Sequence, residues 1–195
     1  MTKKRKPYGK DQVRAAILAA AEELFSERGV AAVSIRDIAE RADVNHGLVH
    51  RHFKSKENLR REVQDRLAKR LRDRIGEPSE LQDAVTKGLA AIQDQESFVR
   101  VMARTFLDGQ FDGDVQSDFP FIKKLVDLAR KAQKQGSLPM DIDPRVYVAG
   151  GLAQVFGLMV FSDYILPGTG LTRMSKAEAI DRIVAAWRIL NKSKT

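Results

Sequence analysis

The sequence contains no cysteine, a single tryptophan and only three histidines among its 195 residues. Without cysteine there can be no disulfide and no thiolate metal site, and nothing in the composition requires an oxidising compartment. The first ten residues are basic, but no apolar segment with a small-residue cleavage site follows them, so we expect no export signal. We therefore expect a soluble cytoplasmic protein, and a hydrophobic share of 43% is enough to fill a core.

The positive charge is concentrated at one end of the chain. The formal net charge is +8, and residues 1–76 contain 19 Lys and Arg against 11 Asp and Glu, whereas residues 77–195 contain 15 of each kind. This asymmetry is typical of a protein in which one module faces a polyanion and the other does not. A solvated, lysine-rich surface would give the same count, so charge alone does not identify the partner.

Helical spacing of apolar residues runs through almost the whole sequence. Apolar positions recur three and four apart, and no alternating run is bounded by a hairpin turn, so we expect an all-α fold. Ser34 and Asp37 form a capping box with a shorter acid, Asp43 suits a left-handed turn, and Asn45 is a good N-cap. Two short helices joined at residues 43–45, with a longer helix before them, predict a helix-turn-helix, whose second short helix can lie in the major groove of DNA.

Four stretches of the amino-terminal region share one recognisable pattern: AAAEELFSERG at residues 19–29, SIRDIAERA at 34–42, VNHG at 44–47 and HFKSKENL at 52–59. Together they resemble the TetR family of bacterial transcriptional regulators. The resemblance implies a helix-turn-helix domain at 11–55, preceded by a basic flexible arm at 1–10 and followed by a linking helix at 56–76. It further implies that residues 77–195 form a helical ligand-binding and dimerisation domain. The family usually has tyrosine at the position of His50, glycine at Asp43, and often a small residue at Leu48.

The resemblance also implies a DNA-contacting face and a regulatory function, that of a sequence-specific repressor released from a near-palindromic operator by a small, largely apolar ligand. Gly47 matches a family glycine that permits close approach to the DNA backbone, Val49 and Phe53 match apolar anchors, and Lys56 matches a lysine that meets a phosphate. The arm at residues 3–6 either contacts DNA or is a disordered solubilising end. The predicted DNA-binding residues are Arg36, Asn45, His46, Gly47, Leu48, His50, Arg51 and Lys56.

All three histidines lie within seven residues of one another. His46 and His50 share a helix face at a spacing that supplies half of a zinc site, but no third ligand with suitable spacing is apparent. Imidazoles that donate to phosphates or base edges fit the pattern better, and His52 either joins them or simply packs. We expect no metal and no cofactor, with a metal-responsive regulator as the alternative.

The carboxy-terminal half carries two apolar clusters with different expected roles. Aromatic and flexible apolar residues predict a pocket for an unidentified small-molecule effector, at Phe98, Met102, Phe106, Phe111, Phe121 and Leu125. The last two helices, which pair with a second copy in the family, predict a homodimer interface at Val155, Leu158, Met159, Ile183 and Trp187. Core packing within one chain would explain either cluster equally simply.

Other function classes fit poorly. An enzyme is not expected, because the sequence has no cysteine nucleophile, no histidine outside the cluster and no glycine-rich phosphate loop. The apolar stretch within residues 144–166 is too short and too rich in glycine for a confident membrane span, so we expect no membrane partner. A helical interaction protein would leave the one-sided charge unexplained.

Overall fold

The computed structural model describes residues 9–109 and 120–192, without the side chains of residue 184 and residues 187–192. Within those residues the chain is helical and contains no β-strand, which confirms the predicted all-α fold. The described residues contain nine helices. They are α1 Lys10–Arg28, α2 Ile35–Arg41, α3 His46–Phe53, α4 Lys56–Ile75, α5 Leu81–Gln93, α6 Glu96–Leu107, α7 Pro120–Lys134, α8 Pro144–Gly168 and α9 Lys176–Lys192.

The described residues fall into two compact units. The first contains residues 9–70 and 100–109, and the second contains residues 71–99 and 120–192. Two helices cross the division, because α4 ends in the second unit and only the first four residues of α6 belong to it. The sequence predicted a helix-turn-helix domain at 11–55, a linking helix at 56–76 and a second domain at 77–195. The structure instead groups the carboxy-terminal part of α6 with the amino-terminal helices.

Packing of α1, α2 and α3 on one another forms the core of the first unit. Each helix contributes fully buried apolar side chains, among them Ile17, Phe25, Ile38, Val49 and Phe53. The first part of α4 adds Leu59, Val63 and Leu67, which are four residues apart and form its buried apolar stripe. This core fixes the two short helices, whose few hydrogen bonds would not hold them alone.

The turns of the first unit follow its sequence closely. The Ser34 hydroxyl accepts from Asp37 N at 3.1 Å and the Asp37 carboxylate accepts from Ser34 N at 2.7 Å, so the predicted capping box is present. Asp43 has a φ of 52°, the left-handed conformation predicted for it. Gly29 ends α1 with a φ of 82°, where a Cβ would lie 3.0 Å from the carboxylate of Asp108, the residue that follows α6.

An apolar interior built by α5, α7 and α8 dominates the second unit, and α9 packs on α8. The core cluster consists of Ala84, Leu125, Leu128, Ala129, Ala132, Leu138 and Val148. Asp143 caps α8 by accepting from Arg145 N at 2.8 Å, and Pro144 follows at the first helical position. Ser175 likewise accepts from Glu178 N at 3.2 Å at the start of α9.

Candidate nucleic-acid interface and ligand cavity

Helix α3 presents one face to the core and the opposite face to solvent. Val49 and Phe53 are 1% and 2% exposed, as predicted for its anchors. His46, Gly47, His50 and Arg51 are exposed, whereas Leu48 is half-buried. The structure therefore brings the predicted base-reading residues together on one surface and turns Leu48 partly away from it.

Asn45 and Gly47 depend on each other at the start of this helix. The Asn45 side chain accepts from Gly47 N at 2.9 Å, and a Cβ at Gly47 would lie 3.3 Å from the same Asn45 oxygen. Contacts between heavy atoms at that distance are tight, so a larger residue would disturb the cap. Glycine at this position thus protects the helix start, in addition to the close approach to DNA that the resemblance implies.

Lys56 makes a structural contact that the sequence did not predict. Its ammonium donates to the Val33 carbonyl at 2.9 Å and the residue is half-buried. Val33 directly precedes Ser34, the N-cap of α2. Lys56 therefore ties the first turn of α4 to the start of α2, and its predicted phosphate contact has to use the remaining ammonium protons.

Arg36 lies exposed in the first turn of α2, next to groups that are already engaged. The hydrogen bonds from Ser34 hold the pKa of the Asp37 carboxyl below its usual range, so Asp37 serves the cap. Arg41 donates to Glu23 at 3.1 Å and to Glu27 at 3.4 Å, and these hydrogen bonds raise its pKa. These pairs fix α2 on α1 while Arg36 faces solvent.

The three histidines do not converge. His46 and His50 are exposed, while His52 is half-buried and its ring lies 6.2 Å from the Phe53 ring at an angle of 44°. In the part of the chain that the structure describes, no group of three or more His, Asp or Glu side chains could hold a metal ion. His52 accordingly packs against the module, the second of its two predicted roles.

Arg14 is a contributor to this region that the sequence did not reveal. Its guanidinium lies 5.3 Å from the centre of the Phe53 ring and forms an ion pair with Glu62. One side chain of α1 thereby holds the end of α3 against α4. A basic residue inside an apolar helix was the only sequence signal, and it did not distinguish this contact from a solvated charge.

A cavity in the second unit lies among α5, α7 and α8, and its volume is about 80 Å³. None of its lining residues is charged. They are Leu81, Ala84, Val85, Gly88, Leu89, Ile92, Phe121, Leu125, Tyr147, Val148, Gly151, Leu152, Gln154 and Val155. Because roughly 10–15 Å³ of cavity volume accommodates one water molecule, a small ligand fits in this cavity.

The predicted pocket residues agree with this cavity only in part. Phe121 and Leu125 line it, but Phe98, Met102 and Phe106 do not. Phe98 is buried elsewhere, and Met102 and Phe106 lie in the part of α6 that belongs to the first unit, where Phe106 is 52% exposed. Phe111 lies outside the described residues. This cavity does not support the α6 part of the prediction, because apolar spacing does not show which neighbour a helix packs against.

The predicted dimer residues also need correction. Leu158 and Met159 are each 7% exposed within a single chain, so they face the protomer's own interior. Val155 lines the cavity, Ile183 is half-buried, and the side chain of Trp187 is not described. The exposed apolar residues of α8 are instead Val146, Val160, Phe161 and Tyr164, at 67%, 39%, 55% and 83% exposure. Because α8 is apolar all round, its sequence could not show which face is outward.

Comparison with known proteins agrees with this architecture. A sequence model described as bacterial regulatory proteins, tetR family, matches residues 17–63. The HTH-type transcriptional repressor Rv3405c of Mycobacterium tuberculosis is 38% identical over 189 residues, covering 93% of this chain and 94% of the relative. The HTH-type transcriptional regulator TtgR of Pseudomonas putida is 39% identical over 74 residues, covering 38% and 35% of the two chains.

Solved structures share the fold over nearly the whole chain. PfmR, a TetR family transcriptional regulator from Thermus thermophilus, superposes with a TM-score of 0.69 at 18% identity, covering 93% of this chain and 96% of the other. Salmonella enterica GusR superposes with a TM-score of 0.61 at 21% identity, covering 93% and 98%. With a relative similar over its full length and the helix-turn-helix residues in place, the chain belongs to the TetR family of bacterial transcriptional regulators, which bind DNA, act as dimers and are not enzymes.

Proposed function

We propose that this regulator is a cytoplasmic repressor that binds a near-palindromic operator as a homodimer and releases it when a small, neutral, apolar ligand enters the cavity of the second unit. The observation that carries the ligand part is the uncharged lining of that cavity. Burying a charged ligand there would cost several kcal/mol or more, because no side chain of opposite charge lines the site.

On the DNA side, the outward face of α3 supplies the base contacts. His46, His50 and Arg51 project from its exposed side, where imidazole and guanidinium groups can donate to base edges or phosphates. The contacts that position this face on the DNA backbone are assigned to four residues, Arg36, Asn45, Gly47 and Lys56. We expect His50→Ala to change which bases are preferred, and an unaltered preference would leave His50 as a spacer.

The homodimer is assigned to the exposed face of α8. Val146, Phe161 and Tyr164 are more than half exposed, and an apolar stripe of this size needs a partner in water. By length and composition α8 could also cross a membrane, but the same test is met by helices of soluble proteins. A second copy of α8, with α9 beside it, covers the stripe and sets two recognition helices roughly 34–36 Å apart, which requires a near-palindrome.

Ligand and operator are coupled by linkage. A ligand that fits a conformation whose recognition helices are wrongly spaced must weaken DNA binding by its differential affinity for that conformation. The same coupling requires that operator DNA weaken ligand binding by the same factor. A bound ligand that leaves operator affinity unchanged would contradict the proposed release.

The first experiment is selection of duplexes from a random-sequence library, followed by fluorescence anisotropy with EDTA present and at several salt concentrations. We expect a near-palindromic sequence that binds orders of magnitude more tightly than a scrambled duplex, with steep salt dependence. Binding that disappears in EDTA and returns with zinc would favour the metal-responsive alternative through His46 and His50. No sequence preference would favour a helical interaction protein.

The ligand is then sought with a panel of neutral and charged apolar compounds, scored by release of the selected duplex. Gly88→Met is the matched control, because its side chain extends from α5 into the cavity near Phe121. We expect only neutral compounds to release the unaltered protein from the duplex. The variant should still bind the duplex, and no compound should release it. Release of the variant by the same compounds would place the ligand elsewhere.

A further inference from the structure

A chain of buried polar side chains connects α6 with α4 inside the first unit. Arg60 and Thr105 are 0% exposed and Gln64 is 2% exposed. Charged residues dominate the sequence of α4, so a buried arginine and glutamine on it are unexpected. Polar groups at such depth are costly unless their hydrogen bonds are satisfied, so their arrangement is specific.

Every hydrogen bond along this chain has a defined direction. Arg60 donates through Nη1 to Gln64 Oε1 at 2.7 Å, which fixes the amide so that its Nε2 donates to Thr105 Oγ1 at 3.1 Å. The Thr105 hydroxyl then donates to the Val101 carbonyl one turn earlier on α6 at 2.7 Å. Neither Gln64 nor Thr105 can turn without leaving a buried polar atom unpaired.

The other end of the chain reaches the helix-turn-helix. Arg60 Nε donates to the two Glu57 carboxylate oxygens at 3.1 and 3.0 Å, in the first turn of α4. The neighbouring Lys56 donates to the Val33 carbonyl, immediately before the N-cap of α2. The polar chain thus runs from Thr105 on α6 to Glu57 in the first turn of α4, and the adjacent Lys56 contacts the loop that starts α2.

Stability alone does not account for this arrangement. Replacing a buried ionic or polar group by apolar side chains of similar volume is often neutral or stabilising, whereas polar networks fix one geometry among several. The polar chain therefore fixes the first turn of α4, from which Lys56 reaches the start of α2. We propose that Thr105 is a positioning residue for DNA binding, which acts through Gln64 and Arg60 on the helix-turn-helix. The proposal requires the DNA binding of the family and is independent of any ligand.

The test compares three variants in the full-length protein, without effector, against the duplex selected by the unaltered protein. Thr105→Val removes the hydroxyl at nearly constant volume, and Thr105→Ser retains it. The double variant Arg60→Met with Gln64→Leu removes the rest of the chain while Thr105 still donates to the Val101 carbonyl, so no buried donor is left unsatisfied and stability is expected to stay near that of the unaltered protein. Thermal unfolding of each variant confirms that it is folded at the temperature of the binding measurement.

We expect Thr105→Val and the double variant to bind the duplex about threefold to tenfold more weakly, because the binding-competent arrangement is less populated. Thr105→Ser should bind within about twofold of the unaltered protein. Unchanged stability with lowered affinity in the double variant distinguishes positioning from a merely structural role. Affinity that follows stability across the three variants, or that stays unchanged in all of them, overturns the proposal.

Discussion

The first unit buries polar and charged side chains, whereas the second keeps its interior apolar. Among the described residues, Arg60, Gln64 and Thr105 are buried in the first unit, and Ser162 is the one buried polar residue of the second. The second unit instead contains an uncharged cavity and an exposed apolar face on α8. Directional hydrogen bonds hold the side chains in one arrangement. Apolar packing is less specific and tolerates different ligands and partner surfaces. The difference fits the proposed division of roles, in which the first unit reads DNA and the second unit takes a ligand and a second copy of the chain.

The largest expected effect concerns the homodimer interface proposed for the exposed face of α8. Phe161→Glu places a charge at the centre of the exposed α8 face, where Phe161 is 55% exposed, so the second copy would have to bury that charge. We expect a monomer by analytical ultracentrifugation and operator affinity lower by about a hundredfold or more, since bivalent binding is lost. Gln135→Glu adds the same charge at an exposed polar position and should remain dimeric. A dimeric Phe161→Glu protein would move the interface away from this face.

The next effect distinguishes an exposed cation of the first unit from one that already makes a hydrogen bond within the protein. Arg51 is exposed on α3, whereas the Lys56 ammonium donates to the Val33 carbonyl. If each also meets one phosphate, either Arg51→Ala or Lys56→Met lowers the salt slope by about 0.9, a change of about threefold in affinity across a fourfold salt range. Only Lys56→Met should also lower the free energy of unfolding, by about 1 kcal/mol.

Anisotropy titrations at four salt concentrations and urea unfolding check this pair of variants. An unchanged salt slope in Lys56→Met, together with lowered stability, would make Lys56 purely structural and remove its predicted phosphate contact. A lowered stability in Arg51→Ala would show instead that the exposed face of α3 is itself part of the rigid frame.

A smaller effect tests how tightly the cavity wall of the second unit is packed. A Cβ at Gly88 would lie 3.6 Å from Phe121 Cζ, an ordinary contact, so alanine fits in α5 at the cavity wall. Gly88→Ala should raise the free energy of unfolding by about 0.5–1 kcal/mol through helix propensity, without changing operator affinity. Urea unfolding measures the change. Destabilisation would mean that α5 and α7 are packed as tightly here as the helices of the first unit.

Sequence and structure agree best where interactions are local. The capping box of Ser34 and Asp37 and the left-handed Asp43 each depend on a few neighbouring residues, and each was predicted. The burial of Arg60 and Gln64 was missed, because a polar side chain on a charged helix gives the same pattern whether it is solvated or pairs with a distant Thr105.

The second unit was predicted less well for the same physical reason. Leu158 and Met159 were placed at the dimer interface and Phe106 in the pocket, yet the first two are buried in the protomer and Phe106 is half exposed in the first unit. Apolar spacing identifies a helix that packs on something. It does not determine which face meets the chain's own core, a ligand or a second copy.

The smallest expected effect tests whether the charge of a capping carboxylate stabilises the second unit. Hydrogen bonds from the Arg145 side chain and backbone lower the pKa of Asp143 to about 2, below its usual value of 3.8. Because the folded pKa is the lower one, this carboxylate stabilises the fold above pH 4, and the contribution disappears as the pH falls from about 4 towards 2. Asp143→Asn retains an oxygen that can accept from Arg145 N but cannot ionise, so its stability should fall less over that pH range. Parallel urea unfolding curves at each pH check the difference, and Asp37→Asn is the matched variant in the first unit, where the pKa of Asp37 is lowered by Ser34. Identical pH dependence of the Asp143 variant and the unaltered protein would show that the start of α8, unlike the start of α2, owes nothing to its charge.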